Sequence, residues 1–191
     1  MEEYLDLSPI SKAALQKRLD SIHDLKNYIQ QTQKMFVKYA NVGNELCNCM
    51  TNLSKSFKSL SEFDGDPTID QMASQIDNFV NVFEMHYSLV DSSINDYLSE
   101  FIAKDINNAV EKSKVAEKDQ DNCLSFLDKY AAVSKKRPQF ELEELDARLM
   151  AQYGSAVFNN FYLAHAIEIV ERKKAVEIAS RVCYFCLLFK I

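Results

Sequence analysis

Glycine and proline are almost absent, with three of each in 191 residues. A β-sandwich, a dinucleotide-binding fold or a P-loop enzyme cannot turn its chain on so few. The breakers fall at Pro9, at Gly65 with Pro67 and at Pro138, while Gly43 and Gly154 stand alone inside periodic segments. Ser8-Pro9 reads as an N-cap followed by proline at the first helical position, and Asp64-Gly65-Asp66-Pro67-Thr68 reads as a stop and a restart. Lys135, Lys136 and Arg137, just before Pro138, suit the negative end of a helix dipole. These stops predict three helices in a single domain spanning 1–191, at about 9–62, 68–136 and 139–191.

Between the stops, apolar residues recur at threes and fours. The first segment carries Leu15, Leu19, Ile22, Ile29, Phe36, Tyr39, Leu46, Met50, Leu53, Phe57 and Leu60, with an interruption near Gln33. The second runs through Ile69, Met72, Ile76, Phe79 and Phe83 to Ile94, Tyr97, Phe101, Ile102 and Ile106. The third runs from Leu142 through Phe161 to Val182 and Phe185. Patterns beyond about 25 residues point to coiled coil. At about 1.5 Å rise per residue the middle helix spans on the order of 100 Å, more than one globule of this mass holds. The expected fold is therefore all-α, an elongated antiparallel three-helix coiled coil.

Charge is distributed unevenly along that rod. Overall, 22 basic against 28 acidic side chains give a net −6, which excludes a general electrostatic binder of nucleic acid or anionic lipid and leaves only a local patch for any anion-binding surface. From Ser59 to Ala103 there is no lysine or arginine, only acidic residues among apolar ones. From Lys104 to Arg137 eight cations face six acids: Lys104, Lys112, Lys114, Lys118, Lys129, Lys135, Lys136 and Arg137. Taken alone, SKKRP is ordinary helix-end chemistry; on one arm with Lys112, Lys114 and Lys118 it suits an anionic surface. Arg172, Lys173 and Lys174 form a third cluster, equally suited to a salt-bridging belt. The apolar end VCYFCLLFKI would leave a large exposed patch, so a second copy is expected to cover it.

Catalytic and metal constellations are poor. His23, His86 and His165 lie one to a helix, with no glycine-rich turn to expose a nucleophile. Cys47-x-Cys49 cannot share a metal from one helix face, and Cys183-x2-Cys186 has no evident second pair. The expectation is a non-enzymatic chain without cofactor or metal, its five cysteines reduced. MEEYLDLSPIS is not a secretory signal and no stretch is apolar enough to span a bilayer, so a cytoplasmic, peripherally membrane-associated protein is expected.

The segments SFLDKYAAVSKKRPQFELEELDARL and FYLAHAIEIVERKKAVEIASRV resemble the end of the second helix and the third helix of BAR domains. The likeness is to those of Arf GTPase-activating proteins with BAR, PH, Arf-GAP and ankyrin modules, and of oligophrenin-like Rho GTPase-activating proteins. It extends to the three helix lengths and the order of breaks. The resemblance implies a crescent-shaped homodimer with lysines and arginines against anionic lipid of the phosphoinositide or phosphatidylserine type. Its membrane contact would fall on Lys112, Lys114, Lys118, Lys129, Lys135, Lys136 and Arg137. Its dimer interface would fall on Phe57, Leu60, Ile76, Phe79, Phe83, Val182 and Phe185. Two departures stand out: the third helix is shorter than such a likeness leads one to expect, and the acidic MEEYLDLS does not suit an inserting N-terminal helix. The rival reading is a coiled-coil scaffold that grips a small GTPase or cytoskeletal partner without lipid.

Overall fold

The computed structural model describes residues 7–133 and 138–188, and among these the chain is helical with no strand. Helix α1 runs Pro9–Asp64. The Ser8 hydroxyl caps it, accepting from the Ser11 N–H at 3.2 Å. A middle helix follows as α2, Pro67–Val90, α3, Asp96–Phe101, and α4, Asn107–Ala131, joined by π-turns at Asp91–Asn95 and Ile102–Ile106. Helix α5 runs Gln139–Leu188. The first reversal is a short Asp-Gly-Asp turn. Gly65 has φ +72°, a conformation that L side chains rarely adopt, and the Asp66 carboxylate accepts from the Thr68 N–H at 2.8 Å. Observed ends lie within two residues of expectation except at the second stop, where α4 ends at Ala131, and at the last end, expected at 191, where α5 is described to Leu188; residues 134–137 and 189–191 lie outside the described residues.

The chain divides into two units. The first combines the residues up to Asn27 with Phe101–Val176, and the second combines Tyr28–Glu100 with the residues from Glu177 onward.

In the first unit, Leu15, Leu19 and Ile22 of α1 are buried together with Ala109, Ala116 and Cys123 of α4 and Ala156, Leu163, Ile167 and Val170 of α5. Two amides, Gln120 and Asn160, are buried among them. Arg18 forms a bidentate pair with Glu171, at 3.1 and 2.7 Å, and Lys173 reaches Asp105 at 2.8 Å.

In the second unit the α1 side of the seam is made of small residues. Ala40, Gly43, Cys47 and Ser54 are buried, spaced by a three, a four and a seven, against Ala73, Val80, Tyr87 and Val90. The Ser54 hydroxyl donates to the Ala73 carbonyl at 3.1 Å. A Cβ on Gly43 would collide with the Tyr87 ring, so glycine is what admits that ring. This corrects the sequence expectation: Leu46, Leu53 and Leu60, assigned by their spacing to the stripe packed within the chain, are exposed. Close helix approach needs small residues in the seam, and the leucines face elsewhere.

The π-turns are a second correction. Each closes with an i→i+5 bond, Asp96 N–H to Asp91 O and Asn107 N–H to Ile102 O, and thereby inserts a residue. The inward position consequently moves from Tyr97, which is exposed, to Leu98, which is 4% exposed. The interruption at Gln33 is filled by polar contacts, its amide donating to the Asn95 carbonyl at 3.0 Å and to the Ser99 hydroxyl at 2.8 Å. Arg181 lies over the Tyr97 ring, 3.4 Å from its centroid, and donates to the Ser93 carbonyl.

Candidate functional site

Lysines of α4 divide by helix phase. At about 100° per residue, Lys114, Lys118 and Lys129 fall within roughly 60° of one another, on the side opposite the buried stripe of Ala109, Ala116, Gln120 and Cys123. All three are exposed. Glu117, Asp121 and Asp128 gather on one flank of this face, and Glu111 shares it. Lys112 does not belong to the stripe. It sits at the edge of the buried face, its ammonium over the Tyr162 ring at 5.6 Å from the centroid. Lys135, Lys136 and Arg137 lie outside the described residues.

The cluster on α5 is a salt-bridged belt. Arg172 pairs with Glu168 one turn back, Lys173 with Asp105, and Arg18 with Glu171. The bond from Arg18, reinforced by its charge and by that of Lys174, holds the Glu171 carboxyl below the ordinary carboxylate range despite partial burial.

The expected interface residues separate into two groups in the second unit. Ile76 and Phe83 flank the small-residue seam, Phe57 is half-buried, and Phe185 sets its ring edge-on to Phe36 at 5.2 Å and to Tyr39 at 5.6 Å. Leu60, Phe79 and Val182 are exposed. Leu60 is part of a second repeat on α1 in which Val42, Leu46, Cys49, Leu53, Leu60 and Phe63 recur at threes, fours and a seven, all exposed. Helix α1 therefore carries two apolar faces in this unit, one inside the seam and one in solvent.

The histidines serve local structure. His23 takes the Leu19 carbonyl at 3.0 Å, buried His86 meets the Tyr39 hydroxyl at 2.7 Å, and His165 stacks on Phe161. Burial, with the Glu84 charge as the next cause, pushes the Cys47 thiol up, and burial alone raises Cys123. Neither thiol is activated at neutral pH. Among the described residues no group of three His, Cys, Asp or Glu side chains is placed to hold a metal, and no helix is long and apolar enough to cross a membrane.

Three long helices, a lysine face on α4 and a doubly apolar α1 agree with one family comparison: the sequence model for the BAR domain of the APPL family matches residues 1–187. The chain belongs to this family. A search of the curated proteins gives no match. As a BAR domain the chain is of a class that generally dimerises and serves as a scaffold on membranes rather than as an enzyme. Sequence reasoning missed Gly43, Asn95 and Arg181 as structural determinants. The lone glycine inside a periodic helix was the available signal for the first; the other two depend on where the π-turn falls.

Proposed function

We propose that this BAR domain is a homodimeric module that senses or generates curvature on anionic membranes, of phosphatidylserine or phosphoinositide type. The face of Lys114, Lys118 and Lys129, turned away from the core, carries this reading. Each cation held near an anionic surface contributes about 1 kcal/mol, fading within a Debye length of about 8 Å. Two such arms on one dimer make the second contact intramolecular, so weak contacts sum to useful avidity. The exposed repeat on α1 supports the homodimer, since soluble monomers seldom leave a continuous apolar stripe in water. The sequence likeness to Arf and Rho GTPase-activating proteins supports a role in membrane trafficking or GTPase signalling, with a small GTPase as a further partner.

Co-sedimentation with liposomes tests the lipid claim. Wild-type protein should pellet with phosphatidylserine-rich vesicles, release as salt rises, and ignore phosphatidylcholine. Changing Lys114, Lys118 and Lys129 together to Glu, or Lys135, Lys136 and Arg137 together to Glu, should abolish pelleting while helicity and the dimer persist. Undiminished binding by both triple variants overturns the lysine contact, and absence of wild-type binding favours a scaffold that acts without lipid.

A further inference from the structure

The lysine face has an aromatic neighbour. On α5, Phe158 is 57% exposed and Tyr162 40% exposed, and the two rings meet edge to face with centroids 4.5 Å apart. Phe161 backs them from the next position, its centroid 6.2 Å from that of Tyr162. Helix phase puts this pair opposite the buried stripe of Ala156, Leu163, Ile167 and Val170, so the unit's own core does not claim it.

Three contacts fix how α4 and α5 run past each other: Lys112 over Tyr162, Asp119 accepting from Ser155 and Asn159 at 2.7 Å each, and Tyr130 donating to Asp146. The helices are antiparallel, and this register sets Lys118 level with Phe158. Around each helix axis the order is the same. On α4 the edge that meets α5 holds Lys112 and Asp119, and the lysine face lies roughly 100° from it, turning away from the core. On α5 the edge that meets α4 holds Ser155 and Asn159, and Phe158 lies roughly 60–100° from it, again turning away from the core. One outward surface of the first unit therefore carries Lys118 and Lys129 on one ridge and Phe158 and Tyr162 on the other. Between the ridges Val115 is exposed and Asp119 is engaged by its two donors.

We infer that this surface is amphipathic toward the membrane: Phe158 and Tyr162 enter the headgroup layer of an anionic bilayer while Lys112, Lys118 and Lys129 hold its phosphates. The inference rests on the membrane reading above and deepens it from a purely electrostatic contact to a mixed one. An anionic bilayer is the occupant that the chemistry fits. Its outer layer is negative where the lysines stand, and aromatic rings with one polar end settle at headgroup depth. Lys112, lying along the Tyr162 ring, reaches from the aromatic ridge toward a phosphate without leaving its partner.

The chain contains no tryptophan, so Phe158→Trp supplies a single indole at the site, excited selectively over the nine tyrosines. On addition of phosphatidylserine vesicles its emission should shift to the blue and be quenched by lipids brominated high on the acyl chain, with neither change on phosphatidylcholine. Phe158→Ser with Tyr162→Ser should weaken binding on the order of tenfold at low salt, by loss of the apolar part of the contact. As salt rises and screens the lysines, the double variant should release at a lower salt concentration than the wild type. Circular dichroism serves as the control for folding. Pelleting of Phe158→Trp without a spectral change overturns the inference and leaves the electrostatic reading standing, with the aromatic ridge then assigned to a protein partner. Failure of the wild-type chain to bind any anionic vesicle overturns the membrane reading and this inference together.

Discussion

Where the second unit closes its seam with Ala40, Gly43, Cys47 and Ser54 against Val80 and Tyr87, the first closes its own with Gln120 and Asn160 among the aliphatics and ties its rim with Arg18–Glu171 and Lys173–Asp105. The contrast extends outward. In the second unit, α1 turns a further apolar repeat to solvent, and its neighbour α2 carries acidic residues but no lysine or arginine. In the first unit the cations are sorted, with Arg18, Arg172 and Lys173 bound to carboxylates and Lys114, Lys118 and Lys129 on the outer side of α4. One unit thus turns apolar surface outward, and the other turns charge outward. The lesson is that a helix's exposed face is as informative as its core.

The largest expected effect tests the second unit's outward repeat. Leu53→Asp combined with Leu60→Asp should convert the dimer to a monomer, because an unpaired charge in a buried interface costs about 3–5 kcal/mol, a loss of at least a hundredfold in affinity. Sedimentation velocity reads the outcome, and a dimer that survives at micromolar concentration would remove α1 from the interface. The matching charge reversal of the first unit's lysine stripe should leave the mass unchanged.

A smaller effect comes from making the same substitution in each unit. Gly43→Ala should destabilise by about 1–3 kcal/mol, since the added methyl collides with the Tyr87 ring and the seam must open. Gly154→Ala meets open space within a helix and should stabilise by about 0.5–1 kcal/mol. Thermal melts of the two variants should therefore move in opposite directions. Shifts of one sign would mean that Gly43 is not held against the ring.

The smallest effect concerns the ion pair of the first unit. The folded Glu171 carboxyl titrates below its ordinary 4.5, chiefly through the Arg18 bond, so its contribution is complete above that value and disappears as pH falls through the lower folded value. Because both side chains are partly exposed, Glu171→Gln should cost only about 0.2–1 kcal/mol near neutrality. Urea midpoints of the variant and the wild type should converge in acid. A difference that persists at low pH would show that the glutamine perturbs packing and that the pair itself contributes little.

Much of the architecture was legible in the residues. Pro9, Gly65-Asp66-Pro67 and Pro138 marked the helix boundaries because they act locally, through a fixed φ, a missing N–H or a positive φ. The lysine-poor and lysine-rich halves of the middle helix were likewise visible, since charge is a property of composition. The seam was read less well. Apolar spacing singled out Leu46, Leu53 and Leu60, whereas the buried positions belong to Ala40, Gly43, Cys47 and Ser54. On a helix with two apolar faces, periodicity reports both at once and cannot say which one meets the neighbour.

The sequence by itself determined that this chain makes three long helices with an acidic, apolar stretch and a basic one, because breakers, periodicity and charge act over a few residues. Tertiary structure alone decided the rest. Two π-turns advance the phase of the middle helix, so Leu98 turns inward and Tyr97 outward beneath Arg181. Antiparallel register brings Lys118 level with Phe158 across 40 residues of chain, and Lys112 onto Tyr162 across 50. Such juxtapositions arise from one helix settling against another, and no window along a single helix contains them.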